Sequence, residues 1–221
     1  DLGNLKAAEV STRKAIQLNP NFADAHYNLG NILRDLGQLQ DSEFPYRKAI
    51  ELNPGFANAH LNLGNILRDL GKLNEAENSY RKAIKLNPNF ADAYFNLSYL
   101  QLLKGNYQCG LENYEFRFKM INPLLIEGNP TIRKIDSISL KKDEKILVIS
   151  EQGLGDTLQY MRYIPYLRSK GIDVSFSAQE KLHTLIKASG IDRNPLKPNQ
   201  VNTVTEGKWI PLLSLPRYLK V

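Results

Sequence analysis

One nine-residue segment, LGNILRDLG, occurs twice in this chain, at Leu29–Gly37 and at Leu63–Gly71, which lie 34 positions apart. It belongs to longer similar stretches that begin at Ala23, Ala57 and Ala91. A fixed period of this length is typical of a stacked array of one supersecondary unit. Such arrays expose a long surface that usually binds a partner, so the repeat predicts a binding module in the first half of the chain.

Each repeat is predicted to form two antiparallel helices joined by a short turn. In the middle repeat the apolar residues recur at helical spacing in two stripes, namely Leu63, Ile66, Leu67 and Leu70, and then Leu73, Ala76, Tyr80, Ala83 and Ile84. Gly71 separates the stripes, where a helix C-terminus favours a residue that tolerates positive φ. Asn87 and Pro88 end the second helix, because the residue before a proline avoids the α-helical region.

These positions resemble the tetratricopeptide repeat, whose pattern is W-x2-L-G-x2-Y…A-x3-F…P. The middle repeat matches it at His60, Leu63, Gly64, Leu67, Ala76, Tyr80, Ala83 and Pro88. The preceding repeat matches at His26, Leu29, Gly30, Leu33, Ser42, Tyr46, Ala49 and Pro54. The resemblance implies an all-α superhelix over residues 1–120, divided into a partial repeat at 1–22, repeats at 23–56 and 57–90, and a modified repeat at 91–120.

Two features depart from the regular pattern. In the last repeat Ser98 replaces the glycine, and Gly110 and Arg117 replace the two alanines, so we expect its final helix to pack on something other than another repeat. Pro45 lies beyond the first turn of a predicted second helix, where an interior proline costs about 3 kcal/mol. We therefore expect a bend or a delayed helix start there.

Asparagines recur at a fixed phase of the first helices, at Asn28, Asn62 and Asn96, and again at Asn31 and Asn65. An amide offers both a donor and an acceptor, so a ladder of amides is suited to an extended peptide backbone whatever its side chains. In the O-GlcNAc transferase family, which this region resembles, asparagines at this phase hold the protein substrate. The alternative is that these amides hydrate the groove or brace the neighbouring repeat.

Composition excludes several classes of protein. The net charge is +6, and residues 121–221 carry most of it, with 15 Lys and Arg against 10 Asp and Glu. Basic and aromatic residues do not alternate and no run of five like charges occurs, so we expect no nucleic-acid partner. No apolar run has the ~18 residues that a membrane span needs. Cys109 is the single cysteine, which favours a reducing, cytoplasmic location.

The second half predicts an α/β fold. Residues 121–144 contain Pro123, Gly128 and Pro130 without a sustained period, and are predicted to be a linker. Strands are predicted at Lys145–Ser150, Asp173–Ser177 and Trp209–Leu213, and helices at Thr157–Ser169 and Gln179–Ala188. Strands that alternate with helices predict a parallel, Rossmann-like sheet at residues 145–221.

The loop after the first strand is the expected ligand site, because ligands bind at the carboxyl ends of parallel strands. Its candidate substrate-binding residues are Glu151, Gln152, Gly153 and Gly155. The dinucleotide fingerprint G-x-G-x-x-G fails, because Leu158 occupies the third glycine position, so we expect no NAD or FAD. No cluster with metal-ligand spacing is present either, and we expect no metal.

The stretches ISEQGLGDTLQYMRYIPYLRSKG and WIPLLSLP resemble a bacterial group in which tetratricopeptide repeats precede a glycosyltransferase-like domain. That domain is similar to the heptosyltransferases and has the GT-B architecture of two Rossmann-like halves. The resemblance implies a nucleotide-sugar donor and a catalytic base at Asp156. The spacing of Asp156 and Gln159 also suits a helix N-cap, and both roles are compatible.

The main functional prediction is a tetratricopeptide module that recruits a protein or a glycan-assembly partner for sugar transfer. The resemblance also implies that the chain is a fragment, which begins in mid-repeat and ends within the first Rossmann-like half. We expect the fragment to be inactive, to bind no cofactor and to self-associate through an open strand edge. Two alternatives remain, a non-catalytic interaction scaffold and a nucleotide-binding protein of another kind.

Overall fold

The computed structural model describes residues 2–136, 139–151 and 153–220. The chain divides into two compact units, residues 1–121 and residues 122–221. The first unit is helical and the second contains a parallel sheet with short helices. The two-part division into a helical half and an α/β half therefore matches the expectation from the sequence, and each unit is described by itself.

The first unit consists of one helix followed by three helical hairpins. The helices are α1 (Leu2–Leu18), α2 (Ala23–Asp35), α3 (Leu39–Leu52), α4 (Ala57–Asp69), α5 (Leu73–Leu86), α6 (Ala91–Leu103) and α7 (Tyr107–Tyr114). A 3-10 turn at Glu115–Phe118 follows α7. The hairpins are α2 with α3, α4 with α5, and α6 with α7, as the 34-residue period predicts.

Each hairpin turn depends on a glycine in the left-handed region. Gly37, Gly71 and Gly105 have φ values of 77°, 76° and 78°. The residue after Gly37 donates its amide proton to Leu33 O at 2.9 Å, and Lys72 donates to Leu67 O at 2.8 Å in the same way. This bond satisfies a carbonyl that the helix end leaves free. The repeated glycine thus sets the end of every first helix.

Two further glycines allow the helices of a hairpin to approach closely. A Cβ atom at Gly30 would lie 2.7 Å from the ring of Tyr46, and one at Gly64 would lie 2.5 Å from the ring of Tyr80. Both rings are fully buried. The core of the array includes these tyrosines together with Leu61, Leu63, Ile66, Leu67, Ala76, Ala83, Ala93, Leu97 and Leu100.

Pro45 does not delay the start of its helix. Helix α3 begins at Leu39, which is 34 positions before the first residue of α5, Leu73. Pro45 lies inside α3 and is buried. Of the two expected outcomes, the delayed start was therefore wrong, and a bend at Pro45 stays a prediction. Packing of the buried proline in the array offsets the hydrogen bond that its nitrogen cannot donate.

The second unit contains a three-stranded parallel sheet. Its elements are β1 (Lys145–Ile149), α8 (Leu154–Tyr160), α9 (Tyr163–Ser169), β2 (Asp173–Ser177), α10 (His183–Ala188), β3 (Lys208–Pro211) and α11 (Leu215–Leu219). Short 3-10 turns lie at Glu180–Leu182, Pro198–Thr203 and Leu212–Ser214. The strand order is β2-β1-β3, and Ile149 is paired with Ser177 on one side and with Pro211 on the other.

The predicted elements of this unit differ from the structure mainly at their ends. The predicted helix at 157–169 starts earlier, at Leu154, and is divided between α8 and α9. The strand predicted at 209–213 ends at Pro211, because the next three residues form a 3-10 turn. The strand at Asp173–Ser177 agrees with its prediction. Apolar runs indicate that an element exists, but they do not fix where the backbone turns.

Both outer strands of the sheet are covered, so the expectation of an open edge was wrong for the part of the chain that is described. Beside β3, Ile135 donates its amide proton to Trp209 O at 2.9 Å, and Trp209 donates to Arg133 O at 3.0 Å. Beside β2, Leu196 donates to Phe176 O at 2.8 Å. Irregular segments of the chain pair with both edges of the sheet. These segments have no periodic pattern, so the sequence did not predict their pairing.

A single arginine adds to the cover of β2. The guanidinium of Arg168 donates to Val174 O at 2.9 Å and to Ile191 O at 2.7 Å, and it also pairs with the buried carboxylate of Asp192. Val174 O and Phe176 O lie two residues apart on the strand and therefore point to the same edge. Both carbonyls on this edge therefore have partners within the unit, and self-association of the chain stays a prediction.

Candidate protein-interaction surface

The first helices of the three hairpins form one face of the array. Helix α2 contacts α4 directly, and α4 contacts α6 in the same way. These contacts between first helices are more extensive than the contact between the second helices α3 and α5. Short side chains bridge the first helices, whereas long charged side chains such as Arg47 and Glu75 bridge the second helices. We call the face formed by α2, α4 and α6 the inner face.

A hydrogen-bonded relay joins each repeat to the next across the inner face. Tyr46 donates its hydroxyl proton to Asn31 Oδ1 at 2.8 Å, and Asn62 Nδ2 donates to the same oxygen at 2.9 Å. Asn62 Nδ2 also lies 3.1 Å from the hydroxyl oxygen of Tyr27. The amide of Asn62 is thereby held in one orientation by two residues of the preceding repeat.

The same relay recurs one repeat further along. Tyr80 donates to Asn65 Oδ1 at 2.9 Å, and Asn96 Nδ2 donates to that oxygen at 3.0 Å. Because the geometry repeats with the sequence, the relay is a property of the repeat. The structure therefore confirms the alternative that these asparagines brace neighbouring repeats.

Bracing leaves part of the amide ladder available. Asn28 is exposed and lies at the phase of Asn62 and Asn96. The relay uses the Nδ2 atoms of Asn62 and Asn96. These bonds do not involve the Oδ1 atoms, which can still accept hydrogen bonds, and both residues are half-buried. The structure thus brings the predicted asparagines onto one face. Their contact with a peptide stays a prediction.

Burial shifts the pKa values of the two tyrosine hydroxyls in the relay. Removal from water raises the pKa of the Tyr46 hydroxyl, and it raises the pKa of the Tyr80 hydroxyl to about 12. Both hydroxyls therefore stay protonated at physiological pH and keep the role of donor. A donor is required here, because the Oδ1 atoms of Asn31 and Asn65 can only accept.

The relay changes to an aromatic cluster in the third hairpin, which sequence reasoning missed. Tyr99 stands where the first two repeats have Asn31 and Asn65, and its ring is 6.2 Å from that of Tyr114. The ring of Phe95 lies 4.9 Å from that of Tyr99. The signal was visible in the sequence as a tyrosine in register with two asparagines.

The opposite side of the array carries an ionic network between repeats. Glu77 accepts hydrogen bonds from Lys104 at 2.6 Å and from Arg81 at 2.7 Å. These two cations lower the pKa of the Glu77 carboxylate. Glu43 likewise binds both Arg47 and Lys72. This network bridges second helices and turns, and it makes the outer side polar.

The second candidate site is the loop after β1, and the structure gives its predicted residues different surroundings. Glu151 is buried, and its Oε1 accepts the amide proton of Leu213 at 3.2 Å, so this side chain holds the 3-10 turn that follows β3. Gly153 has a φ of 117° and Gly155 is exposed. Gln152 lies outside the described residues.

Asp156 is exposed in the first turn of α8, and it does not cap that helix. The N-cap position is occupied by Gly153, and the helix begins at Leu154. The N-cap alternative for Asp156 was therefore wrong, because the glycine at positive φ starts the helix earlier. Sequence reasoning also missed Gln179, which accepts from Thr157 Oγ1 at 3.0 Å and donates to Glu151 O at 2.6 Å.

Among the residues that the structure describes, no helix combines the length and the apolar composition needed to cross a bilayer. The same residues contain no group of three or more His, Cys, Asp and Glu side chains placed to hold a metal ion.

Comparison with protein families agrees with the repeat geometry. A TPR repeat family matches residues 1–37 and 64–105, and two tetratricopeptide repeat families match residues 23–56 and 46–78. Residues 1–105 are therefore tetratricopeptide repeats, the class of helical array that mediates contacts between proteins. No curated protein matches the chain.

Solved structures of MamA are similar to part of the chain. One crystal structure of MamA has 25% identity and a TM-score of 0.50, and covers 54% of this chain and 70% of its own. A second has 25% identity and a TM-score of 0.50, and covers 53% and 64%. MamA 41-end from Desulfovibrio magneticus RS-1 has 22% identity and a TM-score of 0.48, and covers 52% and 64%.

The chain thus spans 64% to 70% of the length of these three MamA structures. The shared part is about half of this chain, which is also the size of its helical unit. None of these matches is to a glycosyltransferase, so that resemblance of residues 145–215 stays a prediction.

Proposed function

We propose that this protein is an interaction scaffold whose inner face binds an extended segment of a partner protein. The observation that carries the proposal is the fixed orientation of two amides. Asn62 and Asn96 each donate to the preceding repeat, so their Oδ1 atoms are held as acceptors on the inner face. A preorganised acceptor loses little conformational entropy when a backbone N–H binds to it.

The dimensions of the inner face suit a short peptide. Packed helices lie about 8–10 Å apart, so the distance from α2 to α6 is roughly 20 Å. An extended chain advances about 3.3 Å per residue, so roughly six residues span that distance. Asn28, Asn62 and Asn96 lie at the same phase of α2, α4 and α6, and they offer one amide per helix along this path.

A random peptide library tests the proposal. We would select peptides of about ten residues, longer than the estimated span, against the whole chain and measure the dissociation constants of those enriched. Asn28→Ala removes an exposed amide of the inner face and should weaken binding about threefold to tenfold, the effect of one hydrogen bond. The matched control is Asn78→Ala, an exposed asparagine on α5, which should leave binding unchanged.

Two outcomes would contradict the proposal. The first is a library from which no peptide is enriched. The second is a set of peptides whose affinities fall equally in Asn28→Ala and Asn78→Ala, since an inner-face ligand does not touch α5.

We propose sugar transfer as a second candidate function, favoured by the exposed carboxylate of Asp156 at the carboxyl end of β1. Asp156 would take the proton of an acceptor hydroxyl, whose oxygen forms the bond to the anomeric carbon of a nucleotide sugar. The nucleoside diphosphate would leave with the electrons of the broken bond.

Release of UDP from UDP-glucose or UDP-N-acetylglucosamine by the full-length protein tests this second candidate, because the resemblance implies that this chain alone is inactive. Release that is lost in Asp156→Asn and retained in Asp173→Asn, an exposed control residue at the start of β2, would support it. No release, or equal release by both variants, would count against it.

A further inference from the structure

One stripe of residues on the inner face contains Asn and Asp in the first two hairpins but only apolar or aromatic residues in the third. In α2 the stripe consists of Tyr27, Asn31 and Asp35, and in α4 of Leu61, Asn65 and Asp69. In α6 the corresponding residues are Phe95, Tyr99 and Leu103, each 34 positions further on. Residues four apart lie on one side of a helix, so the last stripe is apolar or aromatic along its whole length.

This stripe is open to solvent. Tyr99 is 46% exposed and Leu103 is 71% exposed, although a leucine and a tyrosine on one helix face are usually covered. The ring of Tyr99 is supported by Phe95 and Tyr114, at centroid distances of 4.9 and 6.2 Å. A supported ring beside an exposed leucine forms a preorganised apolar platform.

The platform is continuous with the amide ladder. Asn96 precedes Tyr99 by three positions on the same face of α6, and the relay holds its amide. A peptide bound along the ladder would therefore reach the platform at one end of its path. This geometry favours a ligand with a single large apolar side chain near one end.

The charge of the inner face indicates which charge the ligand carries. At the positions that share the asparagine face, four aspartates stand against two arginines, namely Asp24, Asp35, Asp69 and Asp92 against Arg34 and Arg68. Arg34 and Arg68 pair with the aspartates that follow them. Asp24 and Asp92 add the excess negative charge, which attracts a basic ligand.

We infer that the inner face recognises a basic, extended peptide of roughly six residues that places one aromatic or large aliphatic side chain on Phe95, Tyr99 and Leu103. The inference rests on the proposed protein-binding function and adds the identity of the anchor and the charge of the ligand. A second copy of this chain is the competing occupant of the platform.

The repeat itself supplies the test variants. Tyr99→Asn with Leu103→Asp gives the third hairpin the residues that the first two have at these positions, Asn65 and Asp69 among them. Leu103→Asp alone is the milder variant, because Leu103 is the most exposed residue of the stripe. Phe44→Asn is the matched control, since Phe44 is 71% exposed on α3 and Asn78 stands at its position one repeat later.

The probe is the set of peptides selected from the random library with the unmodified whole chain, and fluorescence polarisation measures their affinities. We expect enriched peptides to share one aromatic or large aliphatic position and at least one Lys or Arg. At high ionic strength, where the added carboxylate of Leu103→Asp attracts a basic peptide least, Tyr99→Asn with Leu103→Asp should weaken binding about tenfold, the loss of most of one buried apolar side chain, and Leu103→Asp alone about threefold. Phe44→Asn should leave the affinity unchanged.

Three results would overturn the inference while leaving the proposed function in place. They are enriched peptides without a shared apolar position, affinities that the platform variants do not change, and a dimer in light scattering that Leu103→Asp dissolves. A library that enriches no peptide would instead overturn the proposed function itself.

Discussion

Asn62 of the second hairpin donates its side-chain amide proton to Asn31 of the first, across 2.9 Å, while Tyr46 donates to the same oxygen from the other side. One side-chain oxygen therefore connects three helices in two repeats. Arrays of this kind derive their stability from the contacts between neighbouring repeats, so this bond links local sequence to the stability of the whole array.

Removing the equivalent oxygen of the next repeat should destabilise the array. Asn65→Ala leaves the hydroxyl of the buried Tyr80 and the amide of Asn96 without their acceptor. We expect the free energy of unfolding in urea to fall by about 2 kcal/mol, since each orphaned group costs roughly 1 kcal/mol. Asn58→Ala, an exposed asparagine of α4, is the control, and an equal loss in both variants would contradict a special role for the relay.

The array should lose stability in alkaline solution. Burial raises the pKa of Tyr80 from its ordinary value of 10.0 to about 12, so the folded state binds this proton more tightly than the unfolded state does. Stability from this group is present below pH 10 and falls as the pH rises toward 12, by at most about 1.4 kcal/mol per pH unit. Urea unfolding between these pH values measures the slope, which Tyr80→Phe should reduce. A slope that is the same in Tyr80→Phe would rule out this assignment.

Adding one methyl group at Gly64 should also destabilise the array. A Cβ atom there would lie 2.5 Å from the ring of the buried Tyr80, closer than atoms can approach. Overpacking of this kind costs about 1–3 kcal/mol, which exceeds the gain of up to about 1 kcal/mol in helix propensity. Gly55→Ala is the control, because its nearest neighbour would lie 3.5 Å away. Thermal unfolding compares the two variants, and a Gly64→Ala protein as stable as the unmodified chain would refute the close approach.

Periodicity explains why the array was predictable from its sequence. Gly37 and Gly71 end the first helices, Gly30 and Gly64 set their approach, and each of these roles recurs at the same 34-residue interval. A residue that recurs at the same position of each repeat has the same surroundings there, so the structure of one hairpin predicts that of the next. The asparagine phase was visible for the same reason. Its bonding was not, because phase alone does not say whether an amide faces a neighbouring repeat or a ligand.

The second unit was less predictable because its decisive contacts are single and distant. Arg168 reaches Ile191 and Asp192, more than 20 positions away, and Ile135 pairs with Trp209. Neither contact produces a periodic pattern in the sequence. Apolar runs located the three strands, whereas the cover of the sheet edges and the early start of α8 at Leu154 depend on backbone geometry that such runs do not encode.

The edge of β2 gives the last prediction. Arg168→Ala removes the donor to Val174 O and to Ile191 O and leaves the carboxylate of Asp192, which is 7% exposed, without its cation. Because breaking a buried pair is costly and Arg168 itself is partly exposed, we expect a loss of about 2–3 kcal/mol in the second unit. Hydrogen exchange should accelerate at residues 173–177, and an uncovered strand edge should promote aggregation on heating. Arg162→Ala, an exposed arginine next to α9, is the control. If exchange in β2 is the same in both variants, Arg168 does not protect the edge.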